Sequence, residues 1–240
     1  MIRVGVPYYD NYEPARPGLE SLDGDKRFEK AYCRGTLIDT ARNFIVTGQF
    51  CTLKKQEIVD RDFLFIDSDI IFTKADVEHI IALGKDNPVV FLPYKTHANP
   101  KEYQCGNWGK YIGVSGMRYP TSSIGRHLID WCGAGFLFVK REVFQAIEYP
   151  YFRYYILDLG EHAVPVGEDF GFCIQLHRAG IPILCDFNHP IGHKQRKKAF
   201  YDNSTNNPRI PSTKDEHREG SGDDKSESEQ CGIVDHNARG

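Results

Sequence analysis

Runs of four consecutive apolar residues recur in this chain, and they limit its folds more than any other feature. Phe63-Leu64-Phe65-Ile66 lies between Asp62 and Asp67, Val89-Val90-Phe91-Leu92 between two prolines, and Phe136-Leu137-Phe138-Val139 between Gly135 and Lys140. Each run is too short for a helix and has no polar face, which is the signature of a strand buried on both sides. Such strands need helices over both faces, so the runs predict an α/β domain. A first strand is expected at Arg3 to Pro7. Helical spacing follows from Leu37, with Ile38, Ala41, Ile45 and Val46 on one side and Asp39, Arg42 and Asn43 elsewhere. Thr73 can cap a helix carrying Val77, Ile80 and Ile81 and stopping at Gly84. A short helix is expected from Arg141 to Ile147. Gly167 to Gly180 reads as a helix opening on Glu168-Asp169, followed by a strand over Ile181 to Cys185. Tyr94 to Trp131 shows no sustained periodicity and reads as an irregular loop region over a site.

Length allows one sizeable domain of this kind and no second. From Asp202 onward nearly every residue is polar, charged, Gly or Pro, too little apolar surface to offset the entropy of ordering. The expected division is therefore a domain over residues 1–200 and a disordered polar tail over 201–240. With 40% hydrophobic and 26% charged residues and a formal net charge of −3, the chain reads as a soluble protein with no basic field for nucleic acid. The N-terminal apolar stretch is too short for a secretory signal, and no run approaches a membrane span. Seven scattered cysteines without a C-x-x-C pair suggest neither a disulfide framework nor a zinc knuckle, and a reducing cytoplasm is the simplest compartment.

The chemistry concentrates where the Phe63–Ile66 run ends in Asp67-Ser68-Asp69. Two carboxylates at i and i+2 beyond a buried strand sit at the crevice of an α/β sheet and can hold a hard cation. Magnesium or manganese held there keeps open positions for phosphate oxygens, and so can neutralise a diphosphate leaving group. Solvated strand-end aspartates are the structural alternative. Haloacid-dehalogenase-type phosphatases also use D-x-D, but with Thr where this chain has Ile71; toprim-type nuclease sites need a further acidic strand motif that is not evident.

The wider set of motifs resembles the A-type (GT-A) glycosyltransferases, especially family 2-like enzymes and short phage or viral relatives. It comprises Ala41-Arg42-Asn43, FLFIDSDI at Phe63 to Ile70, GAGFLFVKREVF at Gly133 to Phe144, GEDFGFCIQLHRAG at Gly167 to Gly180 and DFNHPIGHK at Asp186 to Lys194, within Ile2 to Lys198. The resemblance implies a single GT-A domain, two abutting βαβ halves around a central mixed sheet. It implies transfer of a sugar from a nucleotide diphosphate sugar, expected to be UDP-linked, to a glycan, lipid, protein or small-molecule acceptor. Donor contacts would come from Pro7, Arg42, Asp67, Ser68 and Asp69. Asp69 would ligate Mn2+ or Mg2+ directly, with Asp67 at the ribose or a metal-bound water. His193 would complete the metal shell, His189 being the near alternative. Trp131 could stack on a sugar ring or belong to the core. Gly133 and Gly135 could admit a sugar or acceptor, or serve a tight turn. Asp169, with Glu168 beside it, would be the general base of an inverting reaction, although acidic residues also favour any helix start.

The Q-x-x-R-W signature of processive synthases is absent, which argues against a polymerase. Two other readings of the D-x-D are a metal-dependent nucleotidyltransferase or phosphatase and a non-catalytic sugar-nucleotide-binding module. The composition of the C-terminal segment predicts that a chain ending at Tyr201 keeps its melting temperature within a few degrees. Differential scanning calorimetry checks this, and a large drop would show that the segment packs on the domain.

Overall fold

Val4 and Val6 expose none of their surface, and around them β1 (Ile2–Tyr8) builds the centre of one half of the fold. The computed structural model describes residues 1–8, 12–49, 57–160 and 162–194. After β1 come α1 (Arg16–Glu20), β2 (Phe28–Arg34), α2 (Ile38–Thr47), β3 (Asp62–Ile66), β4 (Ile70–Ile71), α3 (Lys74–Gly84) and β5 (Val89–Phe91). Then follow β6 (Glu102–Trp108), β7 (Ser115–Pro120), β8 (Arg126–Ile129), β9 (Trp131–Cys132), β10 (Phe136–Val139) and α4 (Arg141–Ala146). The described part closes with β11 (Tyr155–Asp158), β12 (Ala163–Val166), α5 (Glu168–Arg178), β13 (Ile183–Asp186) and β14 (Gly192–His193).

Seven strands form one mixed sheet in the order β2-β1-β3-β10-β5-β13-β8. β1 is parallel to β2 and β3, β10 runs against β3 and β5, and β13 is parallel to β5 and antiparallel to β8. The three apolar runs are the adjacent strands β3, β10 and β5, covered on both faces as their composition requires. Gly5, Phe65 and Leu137 share a register row and hence a face. Ile45 of α2 lies over this row, and Phe144 of α4 packs edge-on against Phe63 and Phe65. Val4, Leu64 and Phe138 form the opposite row, where Gly84 of α3 meets the Phe138 ring.

Two sequence expectations change. Tyr94 to Trp131 contains β6 to β8 and the start of β9, with β7-β6-β9 forming a small separate sheet. The pairing of β6 with β7 shifts register between Glu102 and Gly106 and again before Trp108, which breaks the period-two pattern that would reveal a strand. Arg42 and Asn43, expected away from the buried side of α2, are both buried. Asn43 uses its amide fully: its Nδ2 donates to the carbonyls of Asp39 and Phe152, and its Oδ1 accepts from Tyr151 and Phe152. Edge strand β2, which carries Glu29, Lys30 and Arg34, and the hairpin β11-β12 had no apolar run to announce them. Residues 201–240, expected as a tail, lie outside the described residues.

Close packing of α2 on β1 depends on Gly5, since a Cβ there would come within 2.4 Å of Ile45 Cγ2. Gly5→Ala is expected to destabilise the protein by about 1–3 kcal/mol through overpacking. In a double-mutant cycle by urea denaturation, Ile45→Ala should absorb part of that loss, giving a clear coupling energy. Strict additivity would show that α2 does not bear on β1 at this point.

Candidate active site

The carboxyl ends of β1, β3, β5 and β13 lie at one edge of the sheet together with the start of antiparallel β10, so chain segments leaving or entering these strands converge there. Asp67 sits on the first residue past β3, its N–H donating 2.9 Å to the Gly135 carbonyl and its carbonyl accepting from Ile70. This short turn aims Asp67, Ser68 and Asp69 into the crevice.

Arg42 is 2% exposed and reaches this turn from α2. One of its terminal nitrogens donates 2.7 Å to Asp67 Oδ1, and the other bonds the Glu168 carboxylate at the start of α5. Burial opposes the guanidinium charge, but Asp67 and Glu168 outweigh it and hold Arg42 protonated. Withdrawal from water pushes Asp67 above the ordinary carboxylate range; Arg42 opposes that shift, and Asp69 and Glu168 add to it. Asp169 is pushed up to about 6, first by withdrawal from water and then by Glu168, against the pull of Arg42 and of the Phe170 N–H, which donates 2.8 Å to its Oδ1.

Asp69 faces two imidazoles. His97 Nε2 and His193 Nε2 each lie 3.3 Å from Asp69 Oδ2, and the three side chains offer ligand atoms all within 4.8 Å of one another. Burial works against ionisation of Asp69, but its bonds to His193 and then His97 prevail and hold its carboxyl below the usual range. A carboxylate oxygen and two imidazole nitrogens fit the divalent ion that the sequence resemblance implies.

Two adjoining clefts meet over this group. One, of about 660 Å³, is lined by Pro7, Tyr8, Thr36, Leu37, Tyr154 and the Asp67-Ser68-Asp69 turn. The other, of about 390 Å³, is lined by Asp67 and Asp69, Glu168 and Asp169, and Tyr94, Arg118 and Ala134. Asp67 and Asp69 belong to both clefts.

The structure therefore gathers Pro7, Ser68, Asp67, Asp69, Glu168, Asp169 and His193 around one crevice. It separates His189, whose Nε2 lies 2.6 Å from Asp76 Oδ1 while its ring stacks on His79. Trp131 is a correction. It is fully buried, its Nε1 donates to the Asn107 carbonyl, and Phe170 and Arg118 lie 4.7 and 5.0 Å from its ring, so no sugar can stack there. Gly133 and Gly135 are corrected too. A Cβ on either would lie 2.3 or 2.6 Å from the Tyr94 hydroxyl, so the space they leave is taken by the protein's own tyrosine. That hydroxyl accepts the Gly135 N–H at 3.0 Å. Arg42 is a strut that fixes Asp67 and Glu168, its two terminal nitrogens both held by carboxylates. His97, Tyr94 and Tyr154 were not anticipated; for His97 the one available signal was its place just after the strand-ending Pro93.

No family model matches the sequence, and no curated protein matches it. Solved structures do. Over 88% of this chain and 46% of the other, the fold is similar to that of GalNAc-T7, solved with UDP, GalNAc and Mn2+, at a TM-score of 0.54 and 12% identity. Protein A197 from STIV is similar over 82% of this chain and 94% of its own, with a TM-score of 0.49 and 16% identity. The described chain thus has the fold of a single GT-A-like domain, a central mixed sheet flanked by helices, and it spans about half the length of the GalNAc-T7 chain.

Asp169 gives a test of the site's electrostatics in the free protein. Its carboxyl titrates near 6 when folded, against an ordinary 3.8. Below the lower value it is neutral folded or unfolded and has no effect on stability. Between 3.8 and about 6 the unfolded chain gives up its proton while the folded protein keeps it, so stability falls across that window and stays at its lower level above about 6. Asp169→Asn should therefore stabilise the free protein by an amount on the order of 1–3 kcal/mol at pH 8 and by much less at pH 4. Thermal melts of both proteins at the two pH values check this, and equal gains would contradict a raised Asp169.

Proposed function

We propose that this chain is a metal-dependent glycosyltransferase that moves a sugar from a nucleotide diphosphate sugar, UDP-linked by preference, to an acceptor hydroxyl with inversion. The observation that carries the reading is that two clefts share Asp67 and Asp69, with Asp169 lining the smaller one. The larger cleft has the size for a nucleoside diphosphate, with Pro7, Tyr8, Leu37 and Tyr154 as walls for base and ribose. Asp69 and His193 would hold a divalent ion, which when bound would supply positive charge to a diphosphate. Asp67, fixed by Arg42, receives the ribose or a metal-bound water.

The sugar extends into the smaller cleft, where the acceptor enters past Glu168 and Asp169. In the transfer step the acceptor oxygen forms a bond to the anomeric carbon while the bond from that carbon to the diphosphate breaks, and the hydroxyl proton passes to Asp169. A carboxyl titrating near 6 is a carboxylate at neutral pH, yet basic enough to take up a developing proton. Glu168, held by Arg42, keeps a second negative charge beside it and fixes the start of α5. The catalytic unit is assigned to residues 1–200, with 201–240 as an appended segment. Smooth spacing of reactive and supporting groups across two clefts is also what a mere sugar-nucleotide-binding module would show, so turnover is the discriminating measurement.

A panel of UDP-, GDP- and TDP-sugars incubated with the protein and Mn2+ should release nucleoside diphosphate from one base class. Asp169→Asn should lower transfer by roughly two to four orders of magnitude while changing donor affinity little. Release of pyrophosphate or inorganic phosphate would replace this reading with a nucleotidyltransferase or phosphatase, and donor binding without any turnover would leave only a binding module.

A further inference from the structure

Three separate segments deliver Asp69, His97 and His193 to one point: the turn after β3, the chain following β5, and β14. Their supports differ in a way that bears on what they can bind. His193 is held from several directions. Its side chain is only 7% exposed, its Nδ1 lies 2.6 Å from the Lys95 carbonyl, and β14 pairs with β4. On either side, the Ile191 N–H donates to the Pro93 carbonyl and the Lys194 N–H to the Asp69 carbonyl. A carbonyl can only accept, so Nδ1 of His193 must carry the proton. Nε2 is left to face Asp69, so a cation that takes the place of the proton between them meets the lone pair of that nitrogen. This is how a ligating imidazole is ordinarily oriented.

His97 is the less confined partner. Its side chain is 34% exposed, its ring centroid lies 4.0 Å from that of His193, and its Nε2 meets the same carboxylate oxygen at the same distance of 3.3 Å. Two imidazole nitrogens converging on one oxygen form three corners of a cup open towards the clefts. An ion that relied on Asp69 alone would need the diphosphate to complete its shell. Three protein donors, two of them nitrogen, change both the affinity and the choice of ion. Mg2+ favours oxygen ligands and dehydrates reluctantly, whereas imidazole suits the first-row transition ions.

We propose that His97 is a third protein ligand, so that this chain loads a divalent transition-metal ion before any nucleotide arrives and discriminates against Mg2+. The proposal rests on the reading above for the use of the ion, but not for its binding. It makes the metal a resident part of the protein, with the donor diphosphate joining an ion already in place.

The experiment uses the full chain without nucleotide. Mn2+ binding is followed by loss of the free-ion electron paramagnetic resonance signal, and Co2+ binding by its visible absorption. The wild-type protein should bind both ions, and millimolar Mg2+ should not displace them. His97→Ala and His97→Gln should each weaken Mn2+ and Co2+ by about tenfold or more, since even outer-shell changes at metal sites have effects of that size. Melting temperatures of the metal-free proteins should fall by no more than a few degrees, because His97 packs no core and loses only a partly exposed contact with Asp69 and His193. Unaltered Mn2+ affinity in both variants, equal competition by Mg2+, or Mn2+ binding that appears only with UDP present would overturn the proposal. The two readings fail separately: metal binding as described without cleavage of any sugar nucleotide sinks only the function, whereas cleavage supported equally by Mg2+ and untouched by His97→Ala sinks only this inference.

Discussion

A buried guanidinium governs the geometry of this crevice. Arg42 stands between the turn that follows β3 and the start of α5, and its two terminal nitrogens bind a carboxylate from each. Leaving a charge uncompensated in a buried place is among the more destabilising changes a protein can suffer, so α2, the Asp67 turn and the Glu168 end of α5 are fixed together. The close seating of α2 over Gly5 allows Arg42 to reach that far. The guanidinium is neutralised only when the turn after β3 and the start of α5 are both in place, which ties the two through one side chain.

The acidic groups around Arg42 outnumber it. Asp67, Asp69, Glu168 and Asp169 surround the two clefts, and only part of their charge is balanced by Arg42 and the two imidazoles. Asp67 and Asp169 sit above the ordinary carboxylate range, first because burial withdraws them from water and then because carboxylates adjoin them. Asp69 differs from both, because His193 and His97 hold its carboxyl below that range.

The fold was legible where local pattern and tertiary role coincide. The all-apolar runs became β3, β5 and β10 because strands buried on both faces leave no polar position, and the capped stretch after Thr73 became α3. Legibility failed where a strand lies at an edge or is bulged: β2 carries charges along its length, and β6 changes register twice. Within the site, Asp67, Asp69, Asp169 and His193 could be read because they follow recognisable strand ends or open a helix. His97 could not, since its partnership with His193 spans 96 positions of sequence and appears only once β14 lies beside β4. Trp131 misled for a related reason. An aromatic residue next to small ones resembles a sugar platform in sequence, and only the packing of Phe170 and Arg118 against it shows that it belongs to the core.

The pairing of β14 with β4 has a consequence for biosynthesis. Lys194 and His193 are the last described residues to join the site, yet they dock on a turn made near the first third of the chain. A ribosome adding 5–20 residues per second needs roughly 6–25 s to go from Asp69 to His193. During that interval the nascent protein holds an acidic turn without its second histidine, and Arg42 awaits Glu168. The cup is therefore assembled late, after the sheet that carries it, and a prematurely terminated product would retain much of the sheet while lacking a complete cup.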